Sequence, residues 1–594
     1  MASGAIILYE GSPGTRELRL GRILDFFGVP WEELEASRMR EKDASRLEYA
    51  ALGSIRAIAT TLKQYEGANP PVFRPAAYYA YADDERDLCV RALQSLFGNT
   101  ELTLQEAPAS ALKVRISDEM ADLAGPMAGL ELSMKLGSGD AVLTGAPAGQ
   151  ESKFASVISA GDGAVFARFE RNGAPVFFCT SSQVIDIEQP VDRGFYDVKS
   201  HFCSAVPLVV FIKYTFPAVV WQPQELGACL IIDDPLLKSE YGFCDFPKLR
   251  NLMRKHGFTT NIAFIPWNWR RTSAAAAKFF RDASGLFSVS IHGCDHTAGE
   301  FGTTSLENLQ AQSQLAQSRM RNHQARTGIR HDPVMVFPQG AFSSACPEVL
   351  KRNGFLAAVN TETLPVDSPD GRTRIRDVWD VAIMTYGDFP IFTRRYAFHG
   401  LENFAFDLLL GKPCLIVAHH DFFKDGGAGL IELVEKIGAL NCHLRWRALG
   451  EVIRRACRCR TNSEGSEDVE MYGSELLIAN SLDQAIEVKI RKRKSEDDCV
   501  SEILCDEEPV MWTTEVEHFV FNTRISAHGE RRFQVVYREQ AQAGSVRRSL
   551  RYQLAVAARR ILSEFRDNHL SKSRYLSAPA GRLKSALANA MKLI

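Results

Sequence analysis

Between about residues 227 and 455 the chain repeats one pattern, and that pattern leaves few folds open. Short apolar runs at 229–232, 259–265, 288–291, 334–337, 356–359 and 414–418 alternate with stretches of helical period. Continuous apolar runs of this length read as strands buried on both faces, and strands joined through helices pair in parallel with right-handed crossovers. The segment after the first run illustrates the alternation. Phe246, Leu249, Leu252 and Met253 fall on one helix face, and His256-Gly257 closes it. A barrel-like α/β domain accounts for the region.

The flanks read differently. Residues 5–9, 141–143, 164–169 and 176–178 are short strand-like runs with Gly and Pro between them, and Leu18, Leu20, Ile23, Leu24 and Phe27 mark a helix face. A doubly wound α/β domain of the flavodoxin or Rossmann kind is expected over 1–205, and the barrel over 206–459. The turn Gly11-Ser-Pro-Gly14 lacks the lysine of a P-loop and the spacing of a dinucleotide fingerprint, so it reads as a plain tight turn. Residues 205–221 are apolar but carry Lys213 and two prolines, and fall short of a membrane span of about 20 residues. They read as a buried segment between domains. The polar stretch 460–470 reads as a linker. Beyond it the period becomes two, at 475–479, 486–490, 517–521 and 533–537, which predicts a β-sandwich over 468–540. The tail 545–594 is a basic helix, with Leu550, Leu554, Ala558, Ile561, Leu562 and Phe565 on one side. That stripe is expected to pack on the sandwich or a second subunit, with contact to an anionic membrane surface as the alternative.

Composition sets limits on partners. Lys and Arg number 70 against 72 Asp and Glu, a net charge of −2 that gives no general affinity for nucleic acid. Hydrophobic residues at 45% supply an ordinary large core. The 13 cysteines are scattered, which suits reduced thiols better than a disulfide framework. With no basic, apolar leader at its start, the chain is read as cytoplasmic.

The chemistry-bearing residues sit where the barrel strands are expected to end. Asp233-Asp234 directly follow the first strand, at the end where α/β barrels place their active sites. Two adjacent carboxylates repel each other, so either a cation compensates, a divalent metal being the simplest, or one of them takes up a proton. His292 and His296 follow the third strand four residues apart, and with one carboxylate they make up a catalytic zinc shell. Pro338-Gln339-Gly340 forms a turn after the fourth strand. His419-His420 end the last one, where a histidine is placed to act as general acid. Trp267 and Trp269, with Arg270 and Arg271, read equally as a sugar-stacking rim or as core filler. Arg394-Arg395 read as a solvated basic pair, with binding of a phosphate or uronate as the alternative.

In this order the residues resemble the polysaccharide deacetylase superfamily, the NodB-homology or carbohydrate esterase family 4 barrel, over about residues 227–455. An apolar strand ending in Asp233-Asp234, the pair His292 and His296, the loop Phe337-Pro338-Gln339-Gly340 and a strand ending in His419 match its motifs. The resemblance implies Asp233 as general base, Asp234, His292 and His296 as ligands of a divalent metal, zinc foremost, and His419 as general acid. It implies a carbohydrate substrate that loses an acetyl group, contacted by Trp267, Trp269, Pro338, Gln339 and His420. The sequence departs from the family at Pro235, where a glycine is usual, and at Val336 and Gln339, where arginine and tyrosine are usual. The family's fourth motif is at best echoed by Asp377-Val-Trp379-Asp380. Two other readings are open. One is a glycoside hydrolase with Asp295, Glu300 or Asp421 facing Asp233. The other is a non-catalytic carbohydrate-binding scaffold, favoured by the lost arginine and tyrosine.

Overall fold

A computed structural model describes residues 2–572 apart from 42–47, 65–74, 146–153, 172, 192–193, 369–371, 463–464, 496–497, 499 and 539–547. Parts of the expected linker and of the expected basic tail, including all of 573–594, therefore lie outside the described residues.

The N-terminal sheet has 11 strands and changes character halfway. Trp31–Glu35, Gly4–Tyr9, Tyr49–Ser54, Tyr78–Tyr81 and Ala174–Cys179 run parallel. Helix Thr15–Phe27 packs on one face of this half, and helices Ile55–Gln64 and Arg86–Phe97 on the other. The doubly wound expectation describes this half only. Gly163–Arg171, Phe154–Ala160, Leu112–Ile116 and Glu131–Met134 continue the sheet antiparallel. The tight turns at Gly161 and Gly173, both at positive φ, leave room only for hairpins, whereas a parallel pair needs a long crossover. At Gly11–Gly14 the backbone N–H of Gly14 donates to Glu17 Oε2 at 2.8 Å. The helix start is thus filled by its own carboxylate, in keeping with a plain turn.

The apolar segment after residue 200 forms helix Phe202–Thr215, buried almost throughout, so a boundary drawn at 205 would cut a helix. The barrel follows. Its strands are β1 (Leu226–Asp233), β2 (Thr260–Phe264), β3 (Phe287–His292), β4 (Val334–Val336), β5 (Ala357–Asn360), β6 (Ile391–Thr393, resuming after Arg394 as Arg395–Tyr396) and β7 (Cys414–Ala418). Each pairs in parallel with its neighbours, and β7 returns to β1. The two pieces of β6 close the ring, because the first pairs with β5 and the second with β7. This strand is absent from the sequence reading. It follows Pro390 and is interrupted by two arginines, so it shows no apolar run.

The barrel interior is filled by Cys229, Ile231, Ala263, Val334, Val336, Val359, Phe392 and Leu415, and the helix Leu449–Arg455 plugs one end with Leu449, Val452 and Ile453. Since side chains alternate along a strand, Asp233 lies on the same inward face as Cys229 and Ile231, at the other end.

The expected linker is corrected. Arg460 belongs to strand Cys457–Thr461 and residues 467–470 to strand Glu467–Met471, which pair with each other as part of a six-stranded sheet. A four-stranded sheet packs over it to complete the sandwich, with Val469, Ile478, Ile490, Ile503, Phe521 and Phe533 in the core. The tail expectation also changes. Helix Leu550–Phe565 lies across the open end of the barrel and packs through its polar side, while Leu550, Leu554, Ile561 and Phe565 remain more than half exposed. Among the described residues no helix is long and apolar enough to cross a membrane.

Candidate metal and catalytic site

Asp233 and Asp234 have different surroundings although they are adjacent. Asp233 ends β1 facing inward, and the guanidinium of Arg394 grips both its oxygens, Nη1 to Oδ1 at 2.6 Å and Nη2 to Oδ2 at 2.7 Å. Both groups are buried. Burial works against ionisation of Asp233, but the Arg394 charge and its hydrogen bonds hold the carboxyl below the usual range. The basic pair expected on a solvated surface is therefore internal. Arg395, on the opposite face of β6, pairs with Asp407 at 2.5 and 3.0 Å and donates to the Tyr196 carbonyl at 2.9 Å. Alternation along one short strand sends the two guanidiniums to opposite sides.

Asp234 leaves the strand at φ 77°. Positive φ is strained for a residue other than glycine, and His296 (φ 58°) and Gln339 (φ 59°) share the feature. At Asp234 this backbone turn directs the carboxylate away from its neighbour and toward two imidazoles. Its Oδ1 lies 2.8 Å from His296 Nε2 and 3.2 Å from His292 Nε2. His292 Nδ1 is 2.9 Å from the carbonyl of Val336. A carbonyl only accepts, so Nδ1 carries the proton and a neutral His292 presents a bare lone pair at Nε2. That lone pair faces a carboxylate oxygen which is itself buried without a hydrogen-bond partner. Lone pair against lone pair is repulsive unless a cation lies between them or the imidazole takes up a proton. The ligand atoms of Asp234, His292 and His296 all lie within 4.8 Å of one another. An N,N,O donor set of this kind suits zinc or a similar divalent ion.

The electrostatics agree with that arrangement. Burial opposes the charge on Asp234, yet the two imidazoles hold its carboxyl well below the usual range. Burial also presses His292 toward neutrality, but Asp234 and Asp233 outweigh it and raise the imidazole. His296 is lowered, burial being the largest cause.

The loop bearing His296 is fixed from within by Glu300. Its buried carboxylate accepts the backbone N–H of Cys294 at 2.7 Å, of Asp295 and His296 at 3.1 Å, and of Thr297 at 3.4 Å. Asp295 is held by Arg319 at 2.6 Å, by the Tyr552 hydroxyl at 2.9 Å and by Arg548. Neither carboxylate is free to face Asp233 as a second glycosidase acid.

His419 Nε2 lies 4.0 Å from Asp233 Oδ2, its ring half-exposed and stacked against Tyr396. His420 points the other way, to Asp567 of the tail at 3.3 Å, so the substrate contact expected of it is occupied by the chain itself. Pro338 is buried and packs against Gly293, while Gln339 is exposed beside it. The backbone N–H of Trp267 donates to Cys294 O at 3.1 Å, on the loop of His296, and Arg271 lies over its ring. Trp269 is stacked against Arg270. Asp380 accepts from Tyr472 and pairs with Arg458 at 3.4 Å, and Trp379 is core packing, so this echo of the fourth motif is structural. The sequence offers Arg394 only as part of a basic pair and Glu300 only as a glycosidase carboxylate; the clamp on Asp233 and the bracing of the His296 loop come from the structure. Arg394 had no signal beyond its charge, because the strand that aims it was invisible.

No family model matches the chain, and no curated protein matches it. Among solved structures it is similar to Agd3, a novel carbohydrate deacetylase, at 8% identity and TM-score 0.48, covering 90% of this chain and 98% of that one. A putative polysaccharide deacetylase from Mycobacterium smegmatis aligns at 14% identity and TM-score 0.27 over 38% of this chain and 90% of that one. The chitin deacetylase of the fungal pathogen Colletotrichum lindemuthianum aligns at 15% identity and TM-score 0.25 over 39% and 88%. Identities this low and TM-scores below 0.5 leave the chemistry to be read from the site itself.

Proposed function

We propose that the chain is a metal-dependent hydrolase that removes an acyl group, acetyl foremost, from an N-acylated sugar or a polysaccharide precursor. The observation that carries this reading is the convergence of Asp234, His292 and His296 beside an arginine-clamped Asp233. Asp234, His292 and His296 would hold a divalent ion, zinc being the best match to their donors, and the ion would supply Lewis-acid polarisation of the acyl carbonyl. Asp233 stays ionised and keeps a free acceptor position on each oxygen outside the Arg394 fork, so it takes the proton of an attacking water. Arg394 holds that carboxylate in one orientation. His419, across the pocket from Asp233, delivers a proton to the departing amine.

Arg394 also bears on the scaffold alternative. That alternative draws its support from the arginine missing at Val336 and the tyrosine missing at Gln339, and a guanidinium reaching Asp233 from β6 weakens the first of these supports. Of the three carboxylates the glycosidase alternative offers, Asp295 and Glu300 are engaged elsewhere, which weighs against it, and Asp421 is exposed in the turn His420–Phe423.

The test is elemental analysis of the purified protein beside Asp234→Ala and His292→Ala, followed by assay of acetate release from N-acetylated sugars. Near-stoichiometric zinc in the wild type, lost in both variants, together with metal-dependent acetate release, is the expected result. A wild type that takes up no metal after zinc is supplied overturns the proposal.

A further inference from the structure

The tail helix Leu550–Phe565 and the turn Arg566–Leu570 are fastened to the barrel mouth at both ends. Near the start, Tyr552 Oη donates to Asp295 Oδ2 at 2.9 Å. Near the end, Lys238 Nζ donates to Glu564 at 2.5 Å and Arg271 pairs with the same carboxylate. Tyr241 Oη donates to Asp567 at 2.8 Å, and the Gly242 N–H to Asn568 Oδ1 at 2.8 Å. These partners stand on the loops after β1, β2 and β3, two of which also carry Asp234 and His296. The positions turned to the barrel follow one stripe of helical spacing, Tyr552, Val556, Arg560, Ser563 and Asp567.

Arg560 occupies the middle of that stripe, between the fastened ends. It is 8% exposed. Its Nε has no hydrogen-bond partner, and its hydrogen bond among the described residues runs from Nη2 to Ser563 Oγ at 3.3 Å. No carboxylate among the described residues forms a salt bridge with it. Asp295 is held by Arg319 and Arg548, Glu564 by Lys238 and Arg271, and Asp567 by Arg566 and His420. Arg559 beside it also has a buried Nε without a partner. A guanidinium buried without a counter-charge is costly, and its planar fork matches the geometry of a carboxylate or phosphate.

We propose that Arg560 is an oxyanion-recognising residue at the barrel mouth, and that the ligand it receives is a sugar bearing a carboxylate or a phosphate. Placing that sugar's acyl group at the Asp234 trio rests on the function proposed above. The anion site itself does not. The tail then forms one wall of the binding site, and the substrate class narrows to acylated acidic sugars.

The experiment is calorimetric titration of the full chain, zinc-loaded and chelator-treated, with glucuronate and with inorganic phosphate. At least one anion binds the wild type in both states. Arg560→Gln weakens that binding tenfold or more with zinc content unchanged, Arg560→Lys gives an intermediate loss, and exposed Arg551→Gln leaves it unaltered. Dependence confined to glucuronate identifies a carboxylate ligand, and dependence confined to phosphate a phosphorylated one. Equal binding by wild type and Arg560→Gln overturns the proposal, as does a wild type that binds neither anion. Should Arg560→Gln fail to fold, the Arg560→Lys titration decides, with wild-type affinity for both anions as the overturning result. Arg560-dependent binding in a protein that takes up no zinc sinks the hydrolase reading and leaves the anion site standing.

Discussion

Arg394 meets Asp233 fork to fork at 2.6 and 2.7 Å, and it does so from the one barrel strand that is broken in two. The clamp joins β6 to β1 across the interior, so a single ion pair serves both the geometry of the proposed base and the closure of the ring. Breaking a buried pair of this kind leaves a carboxylate uncompensated. Arg394→Met is expected to lower stability by about 3–5 kcal/mol in denaturant unfolding.

The same variant makes a pH prediction. Arg394 depresses the folded-state pKa of Asp233, so the stabilisation is present above the unfolded carboxyl value of about 3.9 and is lost as pH falls through the lower folded value. Without the guanidinium, the largest charge opposing the burial of Asp233 is gone and its carboxyl rises. The acid limb of the kcat/KM profile for acetate release should move upward in Arg394→Met, and an unmoved limb would refute Asp233 as the proton acceptor.

Zinc should stabilise the protein as well as serve its chemistry. With free ion a hundredfold above Kd, binding adds about 2.7 kcal/mol to unfolding. A rise in Tm on zinc addition, reversed by chelator and absent in His292→Ala and Asp234→Ala, is the expected outcome.

Glu300 touches no predicted ligand side chain, yet it gathers the backbone N–H groups of the loop that positions His296. Its removal should cost zinc affinity by about 10–100-fold, the usual scale for groups that orient metal ligands. Competition with a chromophoric chelator measures this in Glu300→Ala. Unchanged affinity would mean that the loop holds its shape without the carboxylate.

His323 is buried beneath Phe264, 3.0 Å from the Thr272 hydroxyl, and burial lowers its pKa to about 4. Between that value and about 6.5 the unfolded chain binds a proton that the folded chain does not, so stability rises with pH across the window. Unfolding followed from pH 4 to 6.5 should show a shallower slope in His323→Gln than in the wild type, by up to about 1.4 kcal/mol per pH unit.

Much of the barrel was legible because its strands are buried on both faces and announce themselves as apolar runs. The strands predicted at 229–232, 259–265, 288–291, 334–337, 356–359 and 414–418 all have counterparts within a residue or two at most ends. The spacing of His292 and His296 and their place after a strand likewise survive any detail of packing. The antiparallel half of the N-terminal sheet was not legible as such, because strand direction is set by which partner a short hairpin reaches.

What the chain's own order determined, then, is local: periodicity, turn residues, and the types of side chain at strand ends. Tertiary structure decided which distant groups share a charge. Only closure of the ring through β6 sends Arg394 to Asp233 and Arg395 to Asp407, over 161 and 12 residues of sequence. Only the seating of the tail across the mouth sends Arg560 inward and Leu554 and Ile561 outward, the reverse of what an apolar stripe predicts alone. The physical reason is that a helix buries whichever face its anchoring contacts select. Here those contacts are ion pairs and hydrogen bonds to loops far away in the sequence, which hydropathy does not register.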